Sequence, residues 1–493
     1  MPESESSVEL AAQLERWAMQ APERMACIDE TGAMNWSAFH SAVARARDGL
    51  VSAIRSRADP DEPAVVGVHL PNSTALAVVT FACATSGAAF ELFPVDLPPD
   101  GLWRLMEKSK AAVVVTDDTE LLDRCGSDVR FIAPSDLCGV KSRAETNALT
   151  GALRAESGVF SIVYSSGTSG IPKAIAHSYG ARKSVAQALI AMGMSEAAVT
   201  LVALPMANNL SLTTWYSALC NGGQIVILRD FAPEAFCAAV ETHGVTHFVL
   251  SPLHYRALLR AGCIGRFDMG SLALHISSSS RLAPTEKEAI AKALPGRFCE
   301  IYGVTEGGVG TLLDCSDTSK LHTVGKPIGI YDMNVIDDQG RPLPANGAGR
   351  IVGHSAFMMS GYRDPKIQAS YWYAPGGDGR AYLVPGDVGY FDDDGYLVVL
   401  DRLEDTSRVG EERIYPSVIE NRLLANTSCE EVSVTFNETP TGNELVVHWV
   451  SADDQALALA RTLDAHSPMR FSLRRWDRLP RNSMGKVLRK QLA

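Results

Sequence analysis

A short segment rich in hydroxyl groups and glycine gives the first chemical signal in this sequence. It covers residues 165–173, SSGTSGIPK, and directly follows the apolar segment VFSIVY, which is typical of a buried strand. Hydroxyls, backbone amides freed by glycine and one lysine can together wrap a polyphosphate. The same composition is also common in solvated turns. At this point the segment is therefore either a phosphate-binding loop or a turn.

The spacing within this segment disfavours a P-loop nucleotide hydrolase. The Walker pattern GxxxxGK[ST] places a glycine directly before its lysine, whereas Pro172 precedes Lys173 here. A Rossmann oxidoreductase has no better support, because no GxGxxG follows a predicted strand. Neither of these two common nucleotide-binding classes is indicated.

Four further motifs follow in chain order. They are YGVTE at residues 302–306, Gly386 with Asp387, Asp401 with Arg402, and LPRNSMGK at residues 479–486. Together with the hydroxyl-rich segment, they resemble the signatures of the adenylate-forming superfamily, which contains acyl- and aryl-CoA synthetases, peptide-synthetase adenylation domains and luciferases. The resemblance covers nearly the whole chain, although Ala174 and Asp401 stand where relatives usually have glycine. It implies an enzyme that uses ATP to convert a carboxylic acid into an acyl-adenylate.

The resemblance assigns the nucleotide contacts residue by residue. Thr305 would reach the α-phosphate, Glu306 would hold Mg²⁺, and Lys486 would be the catalytic lysine. ATP and Mg²⁺ are the implied cofactors, and Asp387 and Arg402 would face the ribose. The residues expected around the nucleotide are Ser165, Ser166, Gly167, Thr168, Ser169, Gly170, Lys173, Tyr302, Asp387 and Arg402.

Relatives use one active site for two half-reactions by rotating the C-terminal domain. The resemblance implies Glu404 as the hinge residue and Arg408 as a catalytic residue of the second conformation. It divides the chain into an adenylation domain at residues 1–401 and a mobile domain at residues 402–493.

The resemblance also places an acid pocket. The positions carried over are Asn208, Asn209, Leu210, Thr213, Ser277, Ser278, Ile301, Val309 and Gly310. Asn209 is neutral where peptide-synthetase domains carry an aspartate for the α-ammonium group, and this disfavours an α-amino acid substrate. Asn208 stands where many CoA synthetases have a histidine.

The acceptor of the acyl group stays open. Relatives that use pantetheine have a glycine nine residues after the ribose-facing arginine, where this chain has Glu411, with Gly410 one residue earlier. Either the loop is shifted by one residue or the thiol tunnel is altered. We expect an acid–thiol ligase that uses CoA or a carrier-protein pantetheine. The alternatives are an amide-forming ligase and a non-catalytic nucleotide-binding relative.

The elements that must position these motifs alternate between apolar strands and helices. Strands are predicted at residues 64–70, 111–116, 201–204, 224–228, 247–250 and 272–277, and an apolar helix at residues 76–89. Beyond about residue 331, short strands separated by polar turns predict antiparallel hairpins. The predicted fold class is α/β. It has a large N-terminal domain of two doubly wound sheets plus a small β unit, followed by a small mobile α+β C-terminal domain.

Composition limits the other function classes. The chain has 493 residues, and a formal net charge of −12 disfavours nucleic-acid binding. No apolar run is long enough to span a bilayer, and the acidic N-terminus does not resemble a signal peptide. The ten scattered cysteines are predicted to be buried apolar residues in a reducing compartment. We therefore expect a cytoplasmic protein whose partners are a small carboxylic acid and an acceptor, which could be a carrier protein.

Overall fold

The structure is a computed structural model. It describes residues 3–55, 64–123, 129–138, 159–165, 172–374, 377, 379–410, 412–439, 442–464, 469–481 and 485–492. Six predicted site positions lie outside these ranges: Ser166, Gly167, Thr168, Ser169, Gly170 and Glu411.

Helices alternate with strands through the first part of the chain, as the apolar runs predict. The helices are α1 (Glu3–Gln20), α2 (Trp36–Arg55), α3 (Thr74–Ser86), α4 (Pro99–Lys108), α5 (Thr119–Leu122), α6 (Pro134–Cys138) and α7 (Tyr179–Ile190). The strands are β1 (Met25–Asp29), β2 (Gly32–Asn35), β3 (Val65–His69), β4 (Ala89–Leu92), β5 (Val113–Thr116), β6 (Phe131–Ile132), β7 (Ser161–Ser165) and β8 (Lys173–His177).

Five of these strands form the parallel centre of the first sheet. They lie in the order β7-β4-β3-β5-β6, and β8 adds an antiparallel strand beside β7. Their side chains are buried almost throughout, which explains why these strands appear in the sequence as continuous apolar runs. The first doubly wound unit is therefore confirmed.

Helix α3 begins and ends earlier than the predicted helix at residues 76–89. The Ser73 hydroxyl caps its first turn by accepting a hydrogen bond from the Leu76 amide. The helix ends at Ser86 because Gly87 takes a left-handed conformation, with φ of 85°. Ala89, which the prediction placed at the end of the helix, instead begins β4. The apolar run thus contains both a helix and the strand after it.

The second doubly wound unit follows. Its helices are α8 (Asn209–Cys220), α9 (Pro233–His243), α10 (Pro252–Ala261) and α11 (Pro284–Ala293). Its strands are β9 (Val199–Val202), β10 (Gln224–Ile227), β11 (His247–Leu250), β12 (Leu274–Ser277), β13 (Arg297–Gly303), β14 (Gly310–Asp314) and β15 (Lys326–Pro327). The sheet order is β15-β14-β13-β12-β11-β9-β10-β1-β2, parallel from β13 to β1.

A chain of aromatic rings packs between the two sheets. Trp36 and Phe39 of α2 lie edge to face, Phe39 contacts Phe81 of α3, and Phe81 stacks on Tyr216 of α8 at 4.9 Å between ring centroids. The same buried cluster includes strand residues of both sheets. One apolar core therefore fixes the two doubly wound units against each other.

An antiparallel sheet follows, as the polar turns predict. Its strands are β16 (Tyr331–Ile336), β17 (Gly349–Ser355), β19 (Tyr371–Tyr373), β20 (Ala381–Leu383), β21 (Asp387–Phe391) and β22 (Leu397–Arg402). The short strand β18 (Gly361–Tyr362) leaves this sheet and pairs with β8 at the edge of the first sheet. The small β unit is confirmed.

The last part of the chain forms a smaller unit with its own core. Its elements are β23 (Ser407–Val409), β24 (Glu412–Ile414), α12 (Pro416–Asn426), β25 (Glu431–Thr439), β26 (Gly442–Val450), α13 (Ala456–Asp464) and β27 (Phe471–Arg475). Leu423, Val434, Leu445, Trp449 and Leu459 are among the buried residues of its core. A large N-terminal domain and a smaller C-terminal α+β domain agree with the predicted fold class.

The cysteines and the helices agree with two expectations from composition. Eight described cysteines are unbridged and buried, and Cys27, Cys83 and Cys299 are examples. Across the described part of the chain, the helices are too short or too polar to cross a membrane.

Candidate active site

The two ends of the predicted phosphate loop are held by a hairpin. Strands β7 and β8 pair so that Ser165 lies opposite Lys173, and the connecting residues 166–171 are outside the described part. The Lys173 Nζ lies 5.5 Å from the centroid of the Tyr362 ring. Lys173 therefore stands at the edge of the first sheet, beside strand β18.

Tyr362 connects this lysine to the YGVTE segment. Its hydroxyl donates a hydrogen bond of 2.8 Å to Glu306 Oε1, while Glu306 Oε2 accepts none from the described residues. No group of three or more potential metal ligands occurs among the described residues. A single carboxylate such as that of Glu306 fits Mg²⁺, which commonly binds one or two carboxylates and completes its coordination with phosphate oxygens and water. Glu306 therefore has a carboxylate oxygen left over, and its role as a metal ligand stays a prediction.

The predicted ribose residues form one cluster. The Tyr302 hydroxyl donates to Asp387 Oδ2 at 2.6 Å, and Arg402 Nε lies 2.7 Å from Asp387 Oδ1. Burial and the Asp387 charge raise the pKa of Tyr302, so its hydroxyl stays protonated and can donate. A carboxylate accepts about four hydrogen bonds, so Asp387 keeps capacity for the ribose hydroxyls.

Lys486 lies beside this cluster. Burial lowers the pKa of its ammonium group, the Arg402 charge lowers it further, and the Asp387 charge opposes the shift. The preceding Gly485 packs so tightly on α10 that a Cβ there would lie 2.6 Å from Leu253 Cβ. The C-terminal signature is therefore docked on the large domain, and the charges of Asp387 and Arg402 act on its lysine.

Two buried side chains behind Thr305 fix the YGVTE segment. The His177 Nε2–H donates to the Thr305 carbonyl at 2.8 Å, so His177 Nδ1 is left to accept from Arg182 at 3.3 Å. Burial lowers the pKa of His177 well below its usual range, and the Arg182 charge adds to this. Phe357 stacks on the imidazole with 4.9 Å between ring centroids. Thr305 is therefore held by a neutral, oriented histidine.

Most predicted acid-pocket residues gather where α8 begins. Asn208 caps the helix by accepting from the Leu210 amide, and Asn209 and Thr213 both accept hydrogen bonds from Arg182. Leu210 and Ile301 pack against one small apolar cluster that includes Ile276 of β12. The neighbouring positions Ser277 and Ser278 are buried at the end of that strand. In an α/β sheet the carboxyl ends of parallel strands are the usual ligand site.

Two other predicted pocket positions are occupied differently. Val309 is fully buried in an apolar cluster with Val335, Ile351 and Leu397. A Cβ on Gly310 would lie 2.5 Å from the Tyr331 ring, so that ring already fills the space beside the glycine. Both residues support the third sheet and do not join the polar side chains around α8.

Comparison with known proteins places the chain in a family. The family model described as AMP-binding enzyme matches residues 14–363. The chain belongs to the AMP-binding enzyme family. A 2-succinylbenzoate–CoA ligase from Geobacillus sp. is 26% identical over 496 residues, covering 97% of this chain and 96% of the relative.

Solved structures share the fold of this AMP-binding enzyme. The o-succinylbenzoate CoA synthetase from Bacillus subtilis, in complex with an acyl-adenylate intermediate, aligns with a TM-score of 0.81 at 22% identity, covering 97% of both chains. The amide bond synthetase McbA from Marinactinospora thermotolerans aligns with a TM-score of 0.84 at 21% identity, covering 98% of this chain and 99% of McbA. These similarities extend over both the large and the small domain.

The predicted hinge, the predicted second-conformation arginine and the glycine of the acceptor loop follow the nucleotide cluster of this AMP-binding enzyme along the chain. Arg408 is exposed and pairs with Asp338 in the turn after β16. Glu404 is exposed in a short 3₁₀ turn, and Gly410 has φ of 63° between β23 and β24. The structure therefore combines a docked Lys486 with an Arg408 that is exposed and paired with Asp338.

Two polar residues near the site were missed from the sequence. Tyr362 approaches Glu306 only because β18 pairs with β8, a long-range contact that no local pattern encodes. Arg182 is almost fully buried although polar Lys183 and Ser184 follow it. The sequence offered one signal for Arg182: a charged residue on the face of α7 that packs against the strands.

Proposed function

We propose that this protein is an ATP-dependent ligase that activates a carboxylic acid other than an α-amino acid. It transfers the acyl group from an acyl-adenylate to a pantetheine thiol, either CoA or that of a carrier protein. The observation that carries this proposal is the partly buried position of Lys486, at which the charges of both Asp387 and Arg402 influence the pKa of its ammonium group.

In the first half-reaction the acid carboxylate attacks the α-phosphorus of ATP. A new carboxyl oxygen–phosphorus bond forms, the bond to the β-phosphate bridging oxygen breaks, and pyrophosphate leaves. Lys486 and the Thr305 hydroxyl would stabilise the charge that develops on the phosphoryl oxygens. Mg²⁺ held by Glu306 would supply further positive charge there. Asp387 and Arg402 would hold the ribose, and His177 keeps the Thr305 segment in place.

In the second half-reaction the thiol attacks the acyl carbon, and AMP leaves as the carboxyl–phosphate bond breaks. The similarity to a CoA ligase over nearly the full length supports a thiol acceptor. The structural likeness to McbA supports only the fold, so an amine acceptor is the alternative outcome. The neutral Asn209 gives no carboxylate for a substrate ammonium group, which supports excluding α-amino acids.

The transfer step would use a rotated C-terminal domain, with residues 402–493 moving about Glu404. Glu404 is exposed, and so is the ion pair between Arg408 and Asp338. This supports the division, because the backbone at Glu404 can turn and the ion pair can separate without disrupting buried packing. After rotation Arg408 would approach the acyl-adenylate. The acceptor loop would then include Gly410.

Pyrophosphate release across a panel of carboxylic acids tests the activation step. The same assays with CoA, a phosphopantetheinyl carrier protein and simple amines test the acceptor. We expect pyrophosphate release from some non-amino acids and thioester from CoA or carrier protein. Amide without detectable thioester would replace the proposed acceptor, and nucleotide binding without pyrophosphate release from any acid would indicate a non-catalytic relative.

Replacing Lys486 with alanine separates the two half-reactions. Adenylation should fall roughly a hundredfold or more, which is the scale for losing one preorganised charge at a transition state. Transfer from a synthetic acyl-adenylate should largely survive, because the lysine has rotated away. Lys490→Ala removes an exposed lysine four residues later and serves as the matched control. Equal losses in both half-reactions for Lys486→Ala would rule out the alternating domain.

A further inference from the structure

Arg182 is a buried cation whose visible partners are all neutral. Its side chain is 2% exposed and donates to Ser161 Oγ at 2.9 Å, Asn209 Oδ1 at 2.8 Å, and Thr213 Oγ1 and His177 Nδ1 at 3.3 Å each. Among the described residues, no carboxylate pairs with it. Burial lowers its pKa to about 9, so it still carries a positive charge at neutral pH. Burying a charge without a counter-charge costs free energy, and an anionic ligand beside Arg182 would offset that cost.

Arg182 determines the orientation of the Asn209 and Thr213 side chains. A guanidinium has five donors and no acceptor, so a side-chain amide can face it only through its oxygen and a hydroxyl only through a lone pair. The Asn209 carbonyl oxygen therefore points to Arg182, and its amide N–H groups point away and have no acceptor among the described residues. Thr213 uses its oxygen in the same way, which leaves its hydroxyl hydrogen free to donate elsewhere.

These two residues stand between the arginine and the predicted pocket. Asn209 and Thr213 lie one turn apart on α8 and are half-buried, whereas Arg182 behind them is almost fully buried. They form a wall that presents N–H and O–H donors, backed by a positive charge. Such a wall favours anionic oxygen groups and repels ammonium groups.

We propose that this donor wall of Asn209, Thr213 and Arg182 selects an acid that carries a second anionic oxygen group, such as a second carboxylate. The inference rests on the proposed function for its placement in the acid pocket, and it adds the class of substrate. The second group receives hydrogen bonds from Asn209 and Thr213, and Arg182 balances its charge. The first carboxylate remains free to attack ATP.

The test compares acids in pairs that differ only by a second carboxylate, such as an aromatic monoacid and the corresponding diacid. Binding is measured by calorimetry, and turnover by pyrophosphate release. We expect the wild type to prefer the diacid at least about tenfold in binding, the effect of one charged hydrogen bond. Asn209→Asp gives Arg182 a carboxylate partner and removes the amide donors, so this preference should disappear while the folded protein gains an ion pair.

Two variants guard against a merely structural effect. Arg182→Gln should also abolish the preference, but it could unfold the protein, so Asn209→Asp decides. Ser161→Ala removes a neutral partner on the far side of Arg182 and should leave the preference unchanged. Equal binding of both acids by the wild type, or a preference retained in Asn209→Asp, would overturn the inference.

Measuring both binding and turnover allows the donor wall and the proposed ligase activity to be contradicted separately. Tight diacid binding that Asn209→Asp abolishes, without pyrophosphate release, would support the donor wall and contradict the proposed ligase. Pyrophosphate release without any preference for diacids would support the ligase and overturn the donor wall.

Discussion

Two buried cations in this protein are treated very differently. Lys287 and Arg182 each have a side chain only 2% exposed. The Lys287 Nζ lies 2.5 Å from Glu300 Oε2 and donates to the carbonyl oxygens of Leu321 and Thr323, at 2.7 and 2.8 Å. Two carbonyl oxygens accept from this ammonium group, and a carboxylate balances its charge. Arg182 has four neutral acceptors and, within the described part of the chain, no counter-charge.

The difference separates a structural role from a binding role. The Lys287 cluster ties α11 to β13 and to the segment after β14. It needs nothing further from solvent or ligand. Arg182 lies directly behind two predicted pocket side chains and keeps an unbalanced charge. An anionic ligand would supply the missing partner of Arg182, and substitutions at each cation test the two roles.

The largest change in the free energy of unfolding is expected from replacing Lys287, the cation that has a carboxylate partner. Lys287→Met leaves Glu300 buried without its partner, which should lower the free energy of unfolding by about 3–5 kcal/mol. Urea unfolding measures this loss. The double variant Lys287→Met with Glu300→Leu should recover most of it, because no charge then remains buried. Preference among acids should be unchanged in the folded protein. A loss below about 1 kcal/mol would mean that the pair is not what stabilises this region.

A third charged cluster has more carboxylates than cations. Arg489 faces the three carboxylates of Asp401, Asp405 and Glu420, at 3.8, 3.2 and 2.7 Å. Burial raises the pKa of Asp401 to about 6, the Glu420 charge adds to the rise, and the bond from the Ser417 amide and the Arg489 charge oppose it. This cluster sits where the small domain joins the large one.

Asp401→Asn tests that cluster through pH. The folded protein holds the Asp401 proton more tightly than the unfolded chain does, so the stability linked to this group falls as pH rises to about 6. Asparagine still accepts from the Ser417 amide and does not ionise. Relative to wild type, the variant should gain up to about 3 kcal/mol between pH 4 and pH 7, by 1.36 kcal/mol per pKa unit. Thermal unfolding across pH gives the difference. A constant offset at all pH values would contradict it.

Local sequence patterns were sufficient for much of the fold. The apolar runs that became β3, β5 and β11 are buried on both faces, so continuous hydrophobicity was an adequate guide. The end of α3 was misplaced because Ala88 and Ala89 extend its apolar run, and only the left-handed Gly87 separates helix from strand. The sequence contained that glycine, but composition outweighed it in the prediction.

The site was predictable where a motif is contiguous and hidden where contacts are long-range. Tyr302 and Asp387 were found as members of short motifs, and the structure brings them to 2.6 Å. Arg182 and Asn209 are 27 positions apart, and their contact depends on how α7 packs on α8. The predicted glycine shift at Gly410 stays a prediction, because Glu411 lies outside the described residues.

The smallest expected effect lies at the far side of the unbalanced cation. Ser161 is fully buried at the start of β7, and its hydroxyl accepts from Arg182 Nε at 2.9 Å. Ser161→Ala removes that acceptor and leaves one buried N–H unpaired, so the free energy of unfolding should fall by about 1–3 kcal/mol. Because Asn209 and Thr213 keep their contacts with the guanidinium, the donor wall remains intact. Urea unfolding measures the loss, and the diacid preference should match that of wild type. If Ser161→Ala lowers that preference as strongly as Asn209→Asp does, the orientation of Arg182, rather than the donors on α8, determines which acids bind.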